Sequence, residues 1–182
     1  MKRFVPTGEM TLGPFFPREF GQGANDLTAF EGRPAKGEPL EITGRVVQAD
    51  GSPLDNVVLE IWQADANGIF RDPADPRYAQ ADPNFFGWGR AATDAQGIYT
   101  FRTIRPGAYP GRAPHVNFLI LYSGLMRQLQ TVMFFEKASD PVLDAVEPAA
   151  LRERLIAKSE GAARYRFDIR LRGEGETPFF DD

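Results

Sequence analysis

Apolar and polar residues alternate with a period of two in NVVLEIWQ (56–63) and again in RYRFDIRL (164–171), the spacing that sets one face of a β-strand on a core and the other in water. Four more stretches are strand-like: LEITGRVVQ (40–48), GIYTFRTI (97–104), HVNFLILY (115–122) and LQTVMFFE (129–136). Turn chemistry separates them, in ADGSP (49–53), ADANG (64–68) and RPGAYPG (105–111). Helical signals converge once, on AALRERLIAKSE (149–160), with Pro148 at a first helical position and Gly161 just past the end. Residues 71–90 are rich in Pro, Asp and Gly and read as a long connection, of the kind that is usually functional when it interrupts a compact domain. Residues 1–38 are rich in Gly, Pro and Phe without a sustained period, so they read as an extended arm that must lie on something. The pattern predicts a mostly β protein: a β-sandwich over residues 39–182 with one short C-terminal helix, preceded by an N-terminal arm over residues 1–38.

Composition narrows the class. A chain of 182 residues, 42% hydrophobic, suits one well-buried core. The balance of 21 basic against 25 acidic residues, with the basic ones scattered, argues against nucleic acid or an anionic membrane as partner. With no cysteine there is no disulfide framework and no thiolate, so any metal must be held by oxygen and nitrogen. No apolar run has the length of a membrane span, and MKRFVPTGEM lacks the apolar core of a signal peptide. The expectation is a soluble cytoplasmic protein.

Candidate chemistry centres on GAYPGRAPHVNF (107–118), which holds the single histidine, His115, behind Tyr109 and Arg112. It is either a metal site with a ligand missing or an apolar strand that contains one imidazole. Three runs decide what it resembles: LDNVVLEIWQADANGIF (54–70), DPNFFGWGRAATDAQGIYTFRTIRPGAYPGRAPHVNF (82–118) and RYRFDIRLRGEGETPFFD (164–181). Together they resemble the intradiol ring-cleaving dioxygenases, more narrowly the alpha-type chains of the protocatechuate-cleaving branch. The likeness extends from Thr11 to nearly the carboxyl terminus.

The resemblance implies a β-sandwich whose loops carry ferric iron on two tyrosines and two histidines, and opening of a catechol ring between its two hydroxylated carbons, here to 3-carboxy-cis,cis-muconate. Phenolate is a hard anionic donor suited to the trivalent ion, and neutral imidazoles complete the shell. Carried over, the resemblance puts Tyr78 and Tyr109 at or close to the tyrosine positions, Arg112 at that of an active-site arginine, and His115 at that of the first histidine. Asn117 stands in place of the second histidine, and Val132 where catalytic chains put a glutamine. Strand alternation places residues 115 and 117 on one face, so the geometry for a pair survives while the second donor does not. The expected site is vestigial: no catalytic residue and no metal in this chain, Tyr78, Tyr109 and His115 packed as ordinary core, and Arg112 in a loop salt bridge. The phenylalanines of NFFGW (84–88) read as core or interface, and the terminal GEGETPFFD as a packed segment.

The family's protocatechuate branch pairs unlike chains. The resemblance therefore implies a beta subunit as partner, with Fe(III) held by that beta chain and a small aromatic substrate at the interface. In this chain the mouth-closing segment is TLGPFF (11–16), with Thr11 as a hydrogen-bond donor, Gly13 and Pro14 for close backbone approach, and Phe15 as an apolar wall where most alpha chains have tyrosine. Ser123 stands where an arginine is expected, and Arg127 lies four residues later. Two other readings stand beside this one: a self-sufficient intradiol dioxygenase with an atypical iron site, and a transthyretin-like sandwich that binds without chemistry.

Overall fold

A computed structural model describes residues 16–180. In chain order the strands are β1 (Ala29–Phe30), β2 (Arg33–Pro34), β3 (Pro39–Val47), β4 (Val58–Trp62), β5 (Trp88–Ala92), β6 (Ile98–Ile104), β7 (His115–Leu121), β8 (Leu129–Phe134), β9 (Lys158–Ser159), β10 (Arg164–Arg166) and β11 (Ile169–Arg170). An antiparallel sheet runs β5-β4-β7-β8. The facing sheet is built on β3, which pairs antiparallel with β6 and parallel with β10 and β11. The two sheets form the expected sandwich, because alternate residues of each turn inward: Leu59, Ile61, Phe118 and Ile120 from one, Ile42, Phe101, Phe167 and Ile169 from the other. Phe101 and Phe118 meet across the layers edge to face, with centroids 6.2 Å apart. Such a contact adds about 0.5–1.5 kcal/mol to the area both rings bury.

Four elements differ from the sequence-based expectation. The helix of residues 149–160 is a 3-10 helix over Ala149–Leu155, and it ends there because Ile156 turns extended and Ala157 N–H donates to the Phe134 carbonyl of β8 at 2.8 Å. Pairing with a sheet edge outcompetes helix continuation, and Lys158–Ser159 is strand. The α-helix is instead one turn, α1 (Pro141–Asp144), capped by Asp140. The connection 71–90 is interrupted at Trp88, where β5 begins; Gly89 sits under the arm, and a Cβ there would fall 2.4 Å from Leu27 Cδ1. Finally, RYRFDIRL is two short strands, split where Phe167 drops into the core.

From Phe16 onward the arm lies on its own sandwich. Arg18–Gly21 form a 3-10 turn against β5 and β4, β1 and β2 form a small hairpin, and Leu27 belongs to the main core. Of NFFGW, Phe85 is core and Phe86 is exposed against Phe30. The carboxyl-terminal segment packs, with Thr177 buried and Phe180 bridged to Gln130 of β8. No helix among the described residues is long and apolar enough to cross a membrane.

Candidate functional site

The outer face of the four-stranded sheet carries His115, Asn117 and Val132, and the turn leading into it carries Tyr109 and Arg112. Leading into β7, Tyr109 and Arg112 close a tight turn on each other, Arg112 N–H donating to the Tyr109 carbonyl at 2.8 Å, with Gly111 at φ +78° supplying the left-handed step. The turn brings Tyr109 over His115, the first residue of the strand, with ring centroids 5.6 Å apart. His115 is 3% exposed, between Tyr109 and Phe134.

A chain of hydrogen bonds runs through this corner. His115 Nδ1 lies 2.7 Å from the Ala113 carbonyl, which can only accept, so Nδ1 carries the proton. Nε2 is then the acceptor, and the Tyr109 hydroxyl donates to it at 3.4 Å. Arg112 Nη1 donates to that hydroxyl oxygen at 3.3 Å, and Arg112 Nε donates to Asp140 Oδ2 at 2.9 Å. Burial pulls the His115 pKa down and pushes the Tyr109 pKa up, so near neutrality the imidazole and the phenol are both uncharged. The charges of the corner are Arg112 and Asp140, and they are paired.

Asp140 has no sequence motif that marks it as part of the site. Its side chain is inaccessible to solvent and also accepts from Ala113 N–H and Val142 N–H, each at 2.9 Å. The signal was present in another form, since Asp before Pro141 is an N-cap pattern, and here the cap doubles as the counterion of Arg112.

Asn117 and Val132 are cross-strand partners in the next row of the face, and Asn117 pairs on its other side with Trp62. The carboxamide Nδ2 donates to the Trp62 carbonyl at 3.2 Å, while Val132 is buried with Phe134, Leu143, Val146 and Leu155. Tyr78 takes no part: it lies 44% exposed in the 3-10 turn Tyr78–Gln80. A cavity of about 540 Å³ opens beside Tyr109, between Trp62, Phe70, Pro76, Arg77 and Pro110. Ser123 lines a separate cleft of about 250 Å³ with Leu125 and Leu171, and Arg127 is exposed in the loop before β8. Thr11, Gly13, Pro14 and Phe15 lie outside the described residues.

This donor set does not fit a ferric ion of the two-tyrosine, two-histidine kind. One phenol and one imidazole meet, and they are hydrogen-bonded to each other; the place of the second imidazole is an amide committed to Trp62, and the second phenol stands on an exposed turn. Among the described residues no three His, Asp or Glu side chains cluster as metal ligands.

The family model described as Dioxygenase matches residues 11–173. The chain is 39% identical to the protocatechuate 3,4-dioxygenase beta chain of Burkholderia cepacia, over 96% of this chain and 84% of that one. It is also 39% identical to the protocatechuate 3,4-dioxygenase alpha chain of Pseudomonas putida, over 81% of this chain and 78% of the relative. Among solved structures, the dioxygenase domain of a dioxygenase carbohydrate-binding protein fusion from Streptomyces sp. SirexAA-E is similar with a TM-score of 0.61 at 28% identity, covering 93% of this chain and 99% of that one. The match over residues 11–173 and the 39% identity to protocatechuate 3,4-dioxygenase chains show that the chain belongs to the intradiol ring-cleavage dioxygenase family.

Proposed function

We propose that this chain is the non-catalytic, alpha-type subunit of a protocatechuate 3,4-dioxygenase, supporting cleavage of protocatechuate with dioxygen to 3-carboxy-cis,cis-muconate at a ferric site held by a partner beta chain. Overall identity does not select this reading, because it is 39% toward an alpha chain and 39% toward a beta chain. The observation that carries it is one row of the sheet, Trp62–Asn117–Val132: at the two positions where the resemblance expects the second imidazole and the glutamine of a catalytic chain stand, side by side, an engaged carboxamide and a buried aliphatic residue.

In this reading residues 1–38 are the partner-contact arm and 39–182 the sandwich. Leu27 packs in the sandwich core and so anchors the arm to its own chain there. Thr11, Gly13, Pro14 and Phe15 then line the partner's substrate pocket: glycine and proline permit close backbone approach to a small aromatic acid, and Phe15 excludes water.

A second reading, a self-sufficient enzyme with an atypical iron site, is favoured by the 3.4 Å separation of the Tyr109 oxygen and His115 Nε2, a spacing that two neighbouring donors of one ion would have. Metal analysis and visible absorption of the chain expressed alone separate the two. The proposal expects a colourless chain without stoichiometric iron and without catechol turnover, and a coloured, active complex with the beta chain. One tightly held iron per isolated chain together with turnover would overturn it.

A further inference from the structure

The cavity of about 540 Å³ beside Tyr109 has walls that the hydrogen-bonded corner behind it does not use. Three aromatic residues line it from three separate segments: Trp62 at the end of β4, Phe70 just after the turn 64–68, and Tyr109 in the turn before β7. Phe70 and Tyr109 stand edge to face, with ring centroids 5.5 Å apart and planes at 77°, so the two rings form walls at a steep angle to each other. Pro76 and Pro110 add apolar surface that carries no backbone donor.

Charge decides what such walls hold. Asp72, Asp75 and Arg77 line the cavity, one cation against two carboxylates. Arg77 and Asp75 are closed on each other: Arg77 Nε donates to Asp75 Oδ1 at 3.2 Å and Nη2 to Oδ2 at 3.1 Å, and Nη2 also donates to the Gly68 carbonyl at 2.8 Å. Asp72 accepts the Ala74 N–H at 2.8 Å and has no cationic partner among the described residues. Arg112 lies 5.9 Å from the Tyr109 ring, but Asp140 meets its charge. Arg71 is turned away, over the Phe30 ring and onto the Pro83 carbonyl. One carboxylate is left over, beside aromatic walls.

That combination selects a class of ligand. A cation is drawn to the negative face of an aromatic ring, most strongly where water is excluded, and an uncompensated carboxylate adds Coulomb attraction. An aromatic acid would fit the same rings but bring a second negative charge to Asp72, and the guanidinium that would meet it is already held by Asp75. A bare metal ion needs several converging donors, and no three His, Asp or Glu side chains cluster among the described residues. We infer that the cavity binds a small organic cation, a quaternary or methylated ammonium, with its charge against Trp62, Phe70 and Tyr109 and its counterion in Asp72. The volume exceeds what an ammonium head fills, so the ligand carries a further apolar or hydroxylated group. This inference stands on the chain itself and not on the subunit role proposed above.

Choline and its uncharged carbon isostere, 3,3-dimethylbutanol, share a shape and differ in charge, so together they form the test. In calorimetric titration of the isolated full-length chain, choline should bind with a Kd of about 1 mM or tighter, the isostere about ten-fold or more weakly, and benzoate not measurably. Asp72→Asn keeps an oxygen for the Ala74 N–H, which preserves the turn while removing the charge, and choline affinity should fall about five-fold or more. Trp62 and Trp88, the two tryptophans of the sequence, report the location. In isotope-labelled protein, with the resonances assigned through Trp88→Phe, choline should move the indole N–H signal of Trp62 further than that of Trp88, its cross-strand partner. No binding at about 10 mM choline, equal affinity for the isostere, or benzoate bound as tightly as choline would overturn the inference. Unchanged affinity in Asp72→Asn, or a larger shift at Trp88 than at Trp62, would do the same.

Discussion

Asp140→Asn is the sharpest perturbation of the corner that positions Tyr109. Asparagine keeps a side-chain oxygen for Val142 N–H and is as good an N-cap as aspartate, so the helix start is preserved. What changes is the other oxygen, which accepts from both Arg112 Nε and Ala113 N–H at 2.9 Å; an amide nitrogen there faces two donors. A hydrogen bond to a charged group contributes about 1.5–3 kcal/mol, and breaking a buried ion pair costs about 3–5 kcal/mol. Arg112 is 22% exposed and can turn toward water, which lowers the upper bound, so we expect a loss of about 2–4 kcal/mol. For a domain of this size that corresponds to a fall in Tm of roughly 4–16 °C. Urea denaturation at pH 7 of Asp140→Asn, Arg112→Gln and the double variant gives the coupling, expected at about 1.5 kcal/mol or more. Additivity to within about 0.5 kcal/mol would refute the pairing, and with it the account of what holds the Tyr109 hydroxyl.

The same carboxylate sets an acid limit. Burial pushes the Asp140 pKa up, but the bonds from Arg112, Ala113 and Val142 outweigh it and leave the group below its ordinary value of 3.8. A depressed carboxyl means that the unfolded chain takes up the proton first as pH falls. Its stabilisation is therefore complete above the ordinary value and is lost as pH drops through the folded one. The stability difference between the wild type and Asp140→Asn should hold constant from pH 7 to about 5 and shrink below about 4.

Asn117→His supplies the missing imidazole on the His115 face, and a weak tyrosinate-to-iron band from Tyr109 should appear on adding ferric ion, with little activity because the supporting residues are absent; no gain of iron would mean that the hydrogen-bonded Tyr109 and His115 do not open to a metal even with a second imidazole beside them. Deleting residues 1–16 in the assembled complex should leave iron content unchanged and lower apparent substrate affinity in steady-state kinetics; unchanged affinity and turnover with assembly intact would make the arm simple packing. Gly44→Ala should cost about 3 kcal/mol or more by thermal denaturation, since a Cβ there would fall 1.8 Å from the Phe167 carbonyl oxygen; a neutral result would mean that the approach of β3 to the 166–168 crossing is wrong.

Much of the sandwich was readable because its strands bury one face, and alternation survives as a pattern of letters. β3, β4, β6, β7 and β8 lie within two or three residues of the expected runs. β5 was not readable: WGRAA has small residues where strands favour branched ones, and its glycine exists to admit Leu27 and Ala24 of a segment far away in sequence. The helix at 149–160 misled for the converse reason. Local propensity favours it throughout, and only the distant edge of β8 ends it at Leu155. The site shows the same division. Tyr109, Arg112 and His115 stand within seven residues and announce themselves, whereas Asp140, which holds Arg112, lies in a different element.

The pairing of Asn117 with Val132 bears on how such a chain departs from catalysis. Directly opposed residues on one sheet face touch, so a change at one alters the surroundings of the other. A histidine at 117 beside Val132 would have one side of its ring against an aliphatic wall that cannot hydrogen-bond to anything bound there. A glutamine at 132 beside Asn117 would be an amide in the apolar cluster of Phe134, Leu143, Val146 and Leu155 with no metal-bound group to serve. In the reading proposed above, a histidine at 117 and a glutamine at 132 each lose their function beside the other's replacement, so the two positions are expected to change together. A double-mutant cycle on Asn117→His and Val132→Gln reads this directly. The paired variant should recover more of the iron band than the two single variants add up to, and strictly additive recovery would show that the row does not act as a unit.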